Sequence, residues 1–422
     1  MTLLIVSPDY ASHLLPLATL GTAWRDAGHR VVVATGPATD AIVESFGYER
    51  ADVRLGKGSN PGVIRAEQQP AGEDDALRGF FAATRQGMIP TLVFQAEARL
   101  SDLMWEPVRA AREVQRIVAE VQPDAILVDH LAFSARLGLD AGRIQYGDVV
   151  VGHPSALPVG NEVYGFPPEW PAAFTPDAAD VAALRELCER VSVNFTAEWN
   201  AALAELDPSA APSRSAFEEH GEIVLYNYPA ELADPSRVLP PHVHLGSAVR
   251  EEAADPEVEA WLASSTQPFV YVSFGSFLSV RGDVLGRVAE ALRRRGLRAA
   301  IAFGSADPGD LGDLPDGWLV REFLPQVTLL RSAAVAVTHG GNNSVTEAVA
   351  FGVPLLVLPF STDQFAGAAA LERAGFAVAL APNEATVDQL AVALDTVATL
   401  SIPGSASQLP GSARAFEALS TS

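Results

Sequence analysis

The first thirty-odd residues restrict the fold more than any other stretch. A fully apolar run, Leu3-Leu4-Ile5-Val6, is followed by a polar loop at 7–12, an apolar helical stretch at 13–27 and a second apolar run at 30–34. Gly28 closes the helix, as the residue that most easily takes a left-handed turn. Strands that are apolar on both faces need cover on both faces, and a parallel sheet flanked by helices provides it. The segment therefore reads as the βαβ start of a doubly wound α/β sheet.

The same alternation recurs along the chain. Strands are predicted at 125–128 (ending at Asp129), 148–151, 222–226, 270–273, 298–303, 319–321, 335–338, 355–358 and 377–380, with helices between most of them. The stretch 53–86 reads as a long irregular loop, and one long helix is predicted over 88–121, with a break near Pro107. Proline and aromatic residues crowd 158–176, which suggests a shaped loop. A chain of 422 residues exceeds one ordinary core and suits two domains of roughly 200 residues. The Pro-rich stretch 235–241 and the acidic stretch 251–257 read as the join. The expected division is a first domain at 1–247, a linker at 248–257, a second domain at 258–402 and a tail at 403–422 that can pack back on the first domain.

Charge narrows the partners. The net charge of -23 repels nucleic acid and anionic membranes, so neither is expected as a partner. It leaves small anions open, because backbone N–H groups at a helix start bind phosphate whatever the total charge. Cys188 is the single cysteine; it sits in an apolar helical run, forms no internal disulfide, and fits a reducing, cytoplasmic setting. No run of 18 apolar residues suggests a membrane span.

The most informative stretch is His339-Gly340-Gly341-Asn342-Asn343-Ser344-Val345-Thr346-Glu347, where a buried strand runs through a glycine pair into a helix. Two glycines let a ligand approach the backbone, and the helix start favours a diphosphate. Asn343 and Ser344 add donors, and Ser344 is a candidate helix cap. Upstream lies Phe323-Leu324-Pro325-Gln326; downstream lie Gly352-Val353-Pro354 and Asp363-Gln364. In this order and spacing the sequence resembles family 1 glycosyltransferases, the group that includes plant and antibiotic sugar transferases. The fainter likeness covers almost the whole chain, including Phe274-Gly275-Ser276.

The resemblance implies the GT-B fold, two Rossmann-like domains facing a central cleft, and a role for each matching residue. Phe323, where many plant relatives carry Trp, would stack on the nucleobase, with Leu324 and Gln326 offering polar contacts to its edge. His339, Gly341, Asn343 and Ser344 would hold the diphosphate, helped by Ser276. Glu347 would bind the ribose, and Asp363 and Gln364 the sugar hydroxyls. His13, in Ser12-His13-Leu14-Leu15-Pro16, stands where the family places its catalytic base, with Ser12 replacing the usual glycine. Asp129 matches the acidic partner that would orient it. An acceptor hydroxyl is a poor nucleophile until it loses its proton, and a neutral imidazole suits that task. His153 is a candidate for the acceptor pocket, whose walls are expected from 53–86, 88–105 and 158–176.

The expected activity is inverting transfer of a sugar from a dTDP- or UDP-sugar to a small, largely apolar natural-product aglycone. The arginine-rich character and the likeness to antibiotic-decorating members, those acting on calicheamicin-type enediynes included, motivate that acceptor class. No cofactor and no metal are expected: there is no Asp-x-Asp closing an apolar strand and no complete Gly-x-Gly-x-x-Gly after one. A monomer or homodimer is expected. Two other readings share the architecture: a catalytically silent activator of another transferase, and a nucleotide-sugar isomerase.

Overall fold

The computed structural model describes residues 1–62, 73–100, 103–403 and 409–420, apart from the side chains of Glu73, Asp74 and Ser276. Two sheets organise the chain, and every strand pairing in both is parallel. The first contains β1 (Thr2–Val6), β2 (Arg30–Thr35), β3 (Glu49–Asp52), β4 (Ala125–Asp129), β5 (Gly147–Val150), β6 (Ile223–Tyr226) and β7 (His242–His244), in the order β3-β2-β1-β4-β5-β6-β7. The second contains β8 (Phe269–Ser273), β9 (Arg298–Ala302), β10 (Leu319–Arg321), β11 (Val335–Thr338), β12 (Leu355–Val357) and β13 (Ala377–Ala379), in the order β10-β9-β8-β11-β12-β13. The winding direction reverses between β1 and β4 in one sheet and between β8 and β11 in the other. Such switch points open a crevice beyond the carboxyl ends of the strands.

The strands expected from apolar runs form because those runs are buried, as Leu3, Leu4, Ile5 and Val6 show, all inaccessible to solvent; the edge strands β3 and β7, which carry no such run, were not expected. Two expectations change. The stretch 53–86 is not irregular throughout, since a helix spans Glu73–Thr84; the part at 63–72 lies outside the described residues. The expected break near Pro107 divides 88–121 into two helices, Met88–Arg99 and Pro107–Val121. Pro107 opens the second of these, and Glu106 before it takes a left-handed conformation (φ 43°). The Pro-rich 235–241 is not a join, because it leads into β7, an edge strand of the first sheet. Proline and a three-residue length both suit an edge.

The two lobes interlock. One apolar cluster joins Leu157, Tyr226 and Tyr228 of the first lobe to Leu329, Ala368 and Leu371 of the second. Phe365, on the helix Gln364–Ala374, lies in the first lobe's core against Phe174. The C-terminal helix Gly411–Ser420 returns to the first lobe, with Phe416 edge-on to Trp24 at 5.0 Å and the Arg414 Nη1 donating to the His244 carbonyl at 2.8 Å. Among the described residues no helix is long and apolar enough to cross a membrane.

The returning helix is expected to stabilise the first lobe. Phe416→Ala should cost about 2 kcal/mol, below the usual range for a fully buried phenylalanine because the ring is half-buried. Denaturant unfolding followed by Trp fluorescence measures it; an unchanged midpoint would show that the helix contributes nothing.

Candidate functional site

His13 lies in the first turn of the helix Ala11–Asp26, which follows β1 after a short loop, and Asp129 is the last residue of β4. The first switch point thus brings the two together: His13 Nδ1 is 2.8 Å from Asp129 Oδ2. Asp129 is fully buried, and its Oδ1 accepts the Leu131 N–H at 2.8 Å, so the carboxylate is fixed. An ionised carboxylate can only accept, so Nδ1 carries the proton and Nε2 keeps its lone pair. Burial pulls the His13 pKa down, but the Asp129 charge, its hydrogen bond and the charge of Asp363 outweigh that, and the net shift is upward from 6.5.

Pro16 shapes this corner as well. A proline inside a helix cannot donate to the carbonyl four residues earlier, here that of Ser12. That carbonyl instead accepts the Asn343 amide from the second lobe at 2.9 Å.

On the other side, β11 ends at Thr338 and the helix Asn342–Ala350 begins after His339-Gly340-Gly341. Gly340 has φ +87° and Gly275, opposite, has φ +67°. A Cβ at Gly275 would stand 2.8 Å from the His339 ring, so the two loops approach only because this side chain is missing. The helix starts at Gly341 without any side-chain cap, which leaves its first N–H groups facing the cavity. Ser344, a candidate cap, does not cap it: its hydroxyl donates to Gln326 Oε1 at 3.2 Å. Burial lowers the His339 pKa to about 4, against a weaker upward pull from a backbone hydrogen bond to Ser273, so this imidazole is neutral at pH 7.

A cavity of about 520 Å³ separates the two lobes. His13 lines it from one side; Phe323, Leu324, Gln326, His339, Gly341, Asn343, Ser344 and Asp363 line it from the other. Phe323 is 56% exposed, an unusual position for a phenyl ring. The Leu324 side chain belongs to the core, so only its backbone can offer a polar contact. Thr362 has φ +44°, strain that a non-glycine residue adopts rarely, and it delivers Asp363 to the rim. Asp363 Oδ2 accepts the His153 N–H across the cleft at 2.9 Å.

Several residues sit differently from the expectation. Gln364 is buried and does not line the cavity; its Oε1 accepts from the N–H groups of Phe360 and Ser361, and its Nε2 donates to Ser361 Oγ at 3.1 Å. Glu347 is also buried behind the cavity wall, paired with Arg250 Nη1 at 2.6 Å and with Gln326 Nε2 at 2.6 Å. Its burial raises its pKa, only partly offset by Arg250 and the Gln326 bond. The His153 imidazole does not line the central cavity. It caps the turn Pro154–Ala156, packs on Tyr228 and faces a separate cavity of about 110 Å³. Burial there lowers its pKa to about 3, with smaller contributions from Arg237 and Arg373. Of the expected walls, Tyr164, Gly165, Phe166 and Pro167 do line the central cavity, as does Arg99. The Ser276 side chain lies outside the described residues.

Three residues escaped the sequence reading. Asn342 donates its amide to the carbonyls of Val151 and Asn227, at 2.6 and 2.9 Å. Arg250 and Arg99 also line the cavity. All three depend on partners far away in sequence, so no local pattern marks them. Among the described residues, no group of three or more His, Cys, Asp or Glu could hold a metal ion.

The family model "UDP-glucoronosyl and UDP-glucosyl transferase" matches residues 185–401, just over half of the chain. The chain belongs to this family. The elloramycin glycosyltransferase ElmGT of Streptomyces olivaceus is 29% identical over 389 residues, covering 92% of this chain and 87% of the relative. An uncharacterized UDP-glucosyltransferase of Bacillus subtilis, YojK, is 27% identical over 135 residues, 32% of this chain and 33% of the relative. With several relatives the match thus spans about a third of their length. Among solved structures, the glycotransferase of kitacinnamycin superimposes with a TM-score of 0.66 at 21% identity, over 94% of this chain and 90% of that one. The calicheamicin glycosyltransferase CalG4 gives 0.60 at 17% identity, over 94% and 89%. The fold of this family member is GT-B, two parallel α/β lobes around a cleft.

Replacing Asp129 should reverse the shift of His13. In Asp129→Asn the charge that raises the pKa is gone and burial remains, so the value should fall below 6.5. NMR titration of the imidazole checks this. A pKa unchanged by the substitution would detach His13 from Asp129.

Proposed function

We propose that this protein is an inverting glycosyltransferase that moves a sugar from a dTDP- or UDP-sugar to a small, largely apolar natural-product aglycone. The observation that carries the reading is a juxtaposition. A buried-carboxylate imidazole from one lobe and an uncapped helix start from the other line the same cavity.

The diphosphate binds at the N–H groups of residues 342–344, with the neutral His339 as a further donor. The nucleobase stacks on the exposed Phe323 ring. Glu347 can reach a ribose only through the lone pairs left by Arg250 and Gln326, and these two neighbours hold its carboxylate in one orientation. Asp363 meets the sugar at the rim. Of the pair Asp363-Gln364, the carboxylate touches substrate while the amide holds the loop that presents it.

His13 Nε2 takes the acceptor proton while Asp129 stabilises the imidazolium that forms. The acceptor oxygen attacks the anomeric carbon from the first-lobe side. The bond to the diphosphate breaks on the opposite face, and the nucleoside diphosphate leaves with the electron pair. The helix start and its dipole stabilise the developing charge, so the reaction requires no metal ion. Support for an aglycone acceptor comes from the apolar wall Tyr164, Phe166 and Pro167 and from ElmGT, an elloramycin glycosyltransferase.

His13→Ala should reduce kcat by roughly 10²- to 10⁴-fold with nucleotide affinity nearly unchanged. Turnover assays with a nucleotide-sugar and aglycone panel, read by mass spectrometry, decide this; equal turnover would defeat the assignment. Phe323→Ala should raise the donor KM about tenfold, the magnitude typical of losing one base–aromatic stack. An unaltered KM would place the base elsewhere.

A further inference from the structure

Arg99 is the cation on the acceptor side of the cavity for which the proposed reaction has no use. It ends the helix Met88–Arg99 and lines the cavity together with Tyr164 and Gly165. Its guanidinium lies 5.3 Å from the centre of the Tyr164 ring, and that ring is in turn stacked on Phe217 at 3.9 Å. Gly165, at φ +81°, makes room for the guanidinium: a Cβ there would stand 2.7 Å from Arg99 Nη1. Close by lies the buried thiol of Cys188, 3.8 Å from the same Cβ position. The surroundings are therefore aromatic and apolar, and no described carboxylate forms an ion pair with Arg99. The contrast with the donor side is direct, since Arg250 on that side is neutralised by Glu347 and Glu252. In a chain with 52 acidic and 29 basic residues, a cation in a cavity without a carboxylate partner among the described residues is a specific arrangement. The helix C-terminus offsets part of its charge, but a guanidinium partly removed from water still favours an anion, above all a planar carboxylate that accepts two parallel hydrogen bonds.

We propose that the acceptor carries a carboxylate, and that Arg99, placed over Tyr164 beside Gly165, binds it and so turns the acceptor hydroxyl toward His13. The inference rests on the transferase reading and names the acceptor class for it. It makes Arg99 a specificity determinant: it touches substrate but takes no part in the proton transfer.

Matched probes test it. 6-Hydroxy-2-naphthoic acid and its methyl ester share a flat apolar body and a hydroxyl and differ in the charge. Calorimetric titration of the full chain, saturated with UDP, should give an acid that binds about tenfold more tightly than the ester. In Arg99→Gln that ratio should fall to about one; in Arg99→Lys, which keeps the charge but not the fork, a reduced preference should remain. UDP affinity should be equal in all three proteins, which reports on their folding. A ratio near one in the unaltered chain, a preference that survives in Arg99→Gln, or binding of neither probe would overturn the proposal. The two readings fail separately. A chain that binds the acid through Arg99 but transfers no sugar to any acceptor defeats the transferase assignment alone. A chain that glycosylates acid and ester equally well defeats the role of Arg99 alone.

Discussion

The hydrogen bond that joins the two halves of the site beside His13 exists because a proline makes its acceptor available. Pro16 has no N–H for the Ser12 carbonyl, and the Asn343 amide from the opposite lobe takes the vacancy at 2.9 Å. The donor residue stands in the first turn of the helix Asn342–Ala350; the acceptor is the backbone next to His13. The bond thereby links the helix start directly to the backbone beside the imidazole. Such a bond is worth about 1 kcal/mol net, but a carbonyl left unsatisfied in a half-buried site costs more than the bond returns. Asn342 and Asp363 reinforce it by bonding the first-lobe backbone at Val151, Asn227 and His153. Two apolar clusters, one through Tyr228 and one through Phe365, add packing between the lobes.

The same cleft contains two histidines whose pKa values are shifted in opposite directions. Burial pushes both toward neutrality. For His13 the carboxylates of Asp129 and Asp363 reverse that push, which gives a basic imidazole with a fixed tautomer. For His339 a backbone hydrogen bond is the opposing influence and burial wins, which gives an imidazole that stays neutral well below pH 7. A group meant to take a proton and a group meant to donate a hydrogen bond to an anion need these opposite tunings. The net charge of -23 is no obstacle, because the anion-binding groups here are backbone N–H groups whose strength does not depend on the distant surface.

Much of the site was legible because its parts lie next to strand ends. His13, Asp129 and His339 each follow an apolar run that a parallel sheet must bury, and the carboxyl ends of such runs face the crevice. Side-chain direction was not legible. Asp363 and Gln364 are adjacent, yet one reaches the cleft and the other turns into its own loop, because Thr362 takes a left-handed conformation just before them. His153 has its backbone at the cleft and its ring behind it. Glu347 is held by Arg250, 97 residues earlier in the chain, and nothing around either residue announces the pairing.

Sequence alone determined the α/β class, the apolar strands of both sheets though not the edge strands β3 and β7, and the place of the glycine-rich helix start, because these follow from local apolar runs, glycine and proline. Its motif order further indicated the family. Tertiary structure decided what faces what: the closure of the lobes through Asn342 and Asn343, the retreat of Gln364 and His153 from the cavity, and the position of Arg99 over Tyr164. These are contacts between residues tens to hundreds of positions apart. Their geometry depends on how two sheets are packed, and a periodicity of two or of three and a half residues carries no information about that.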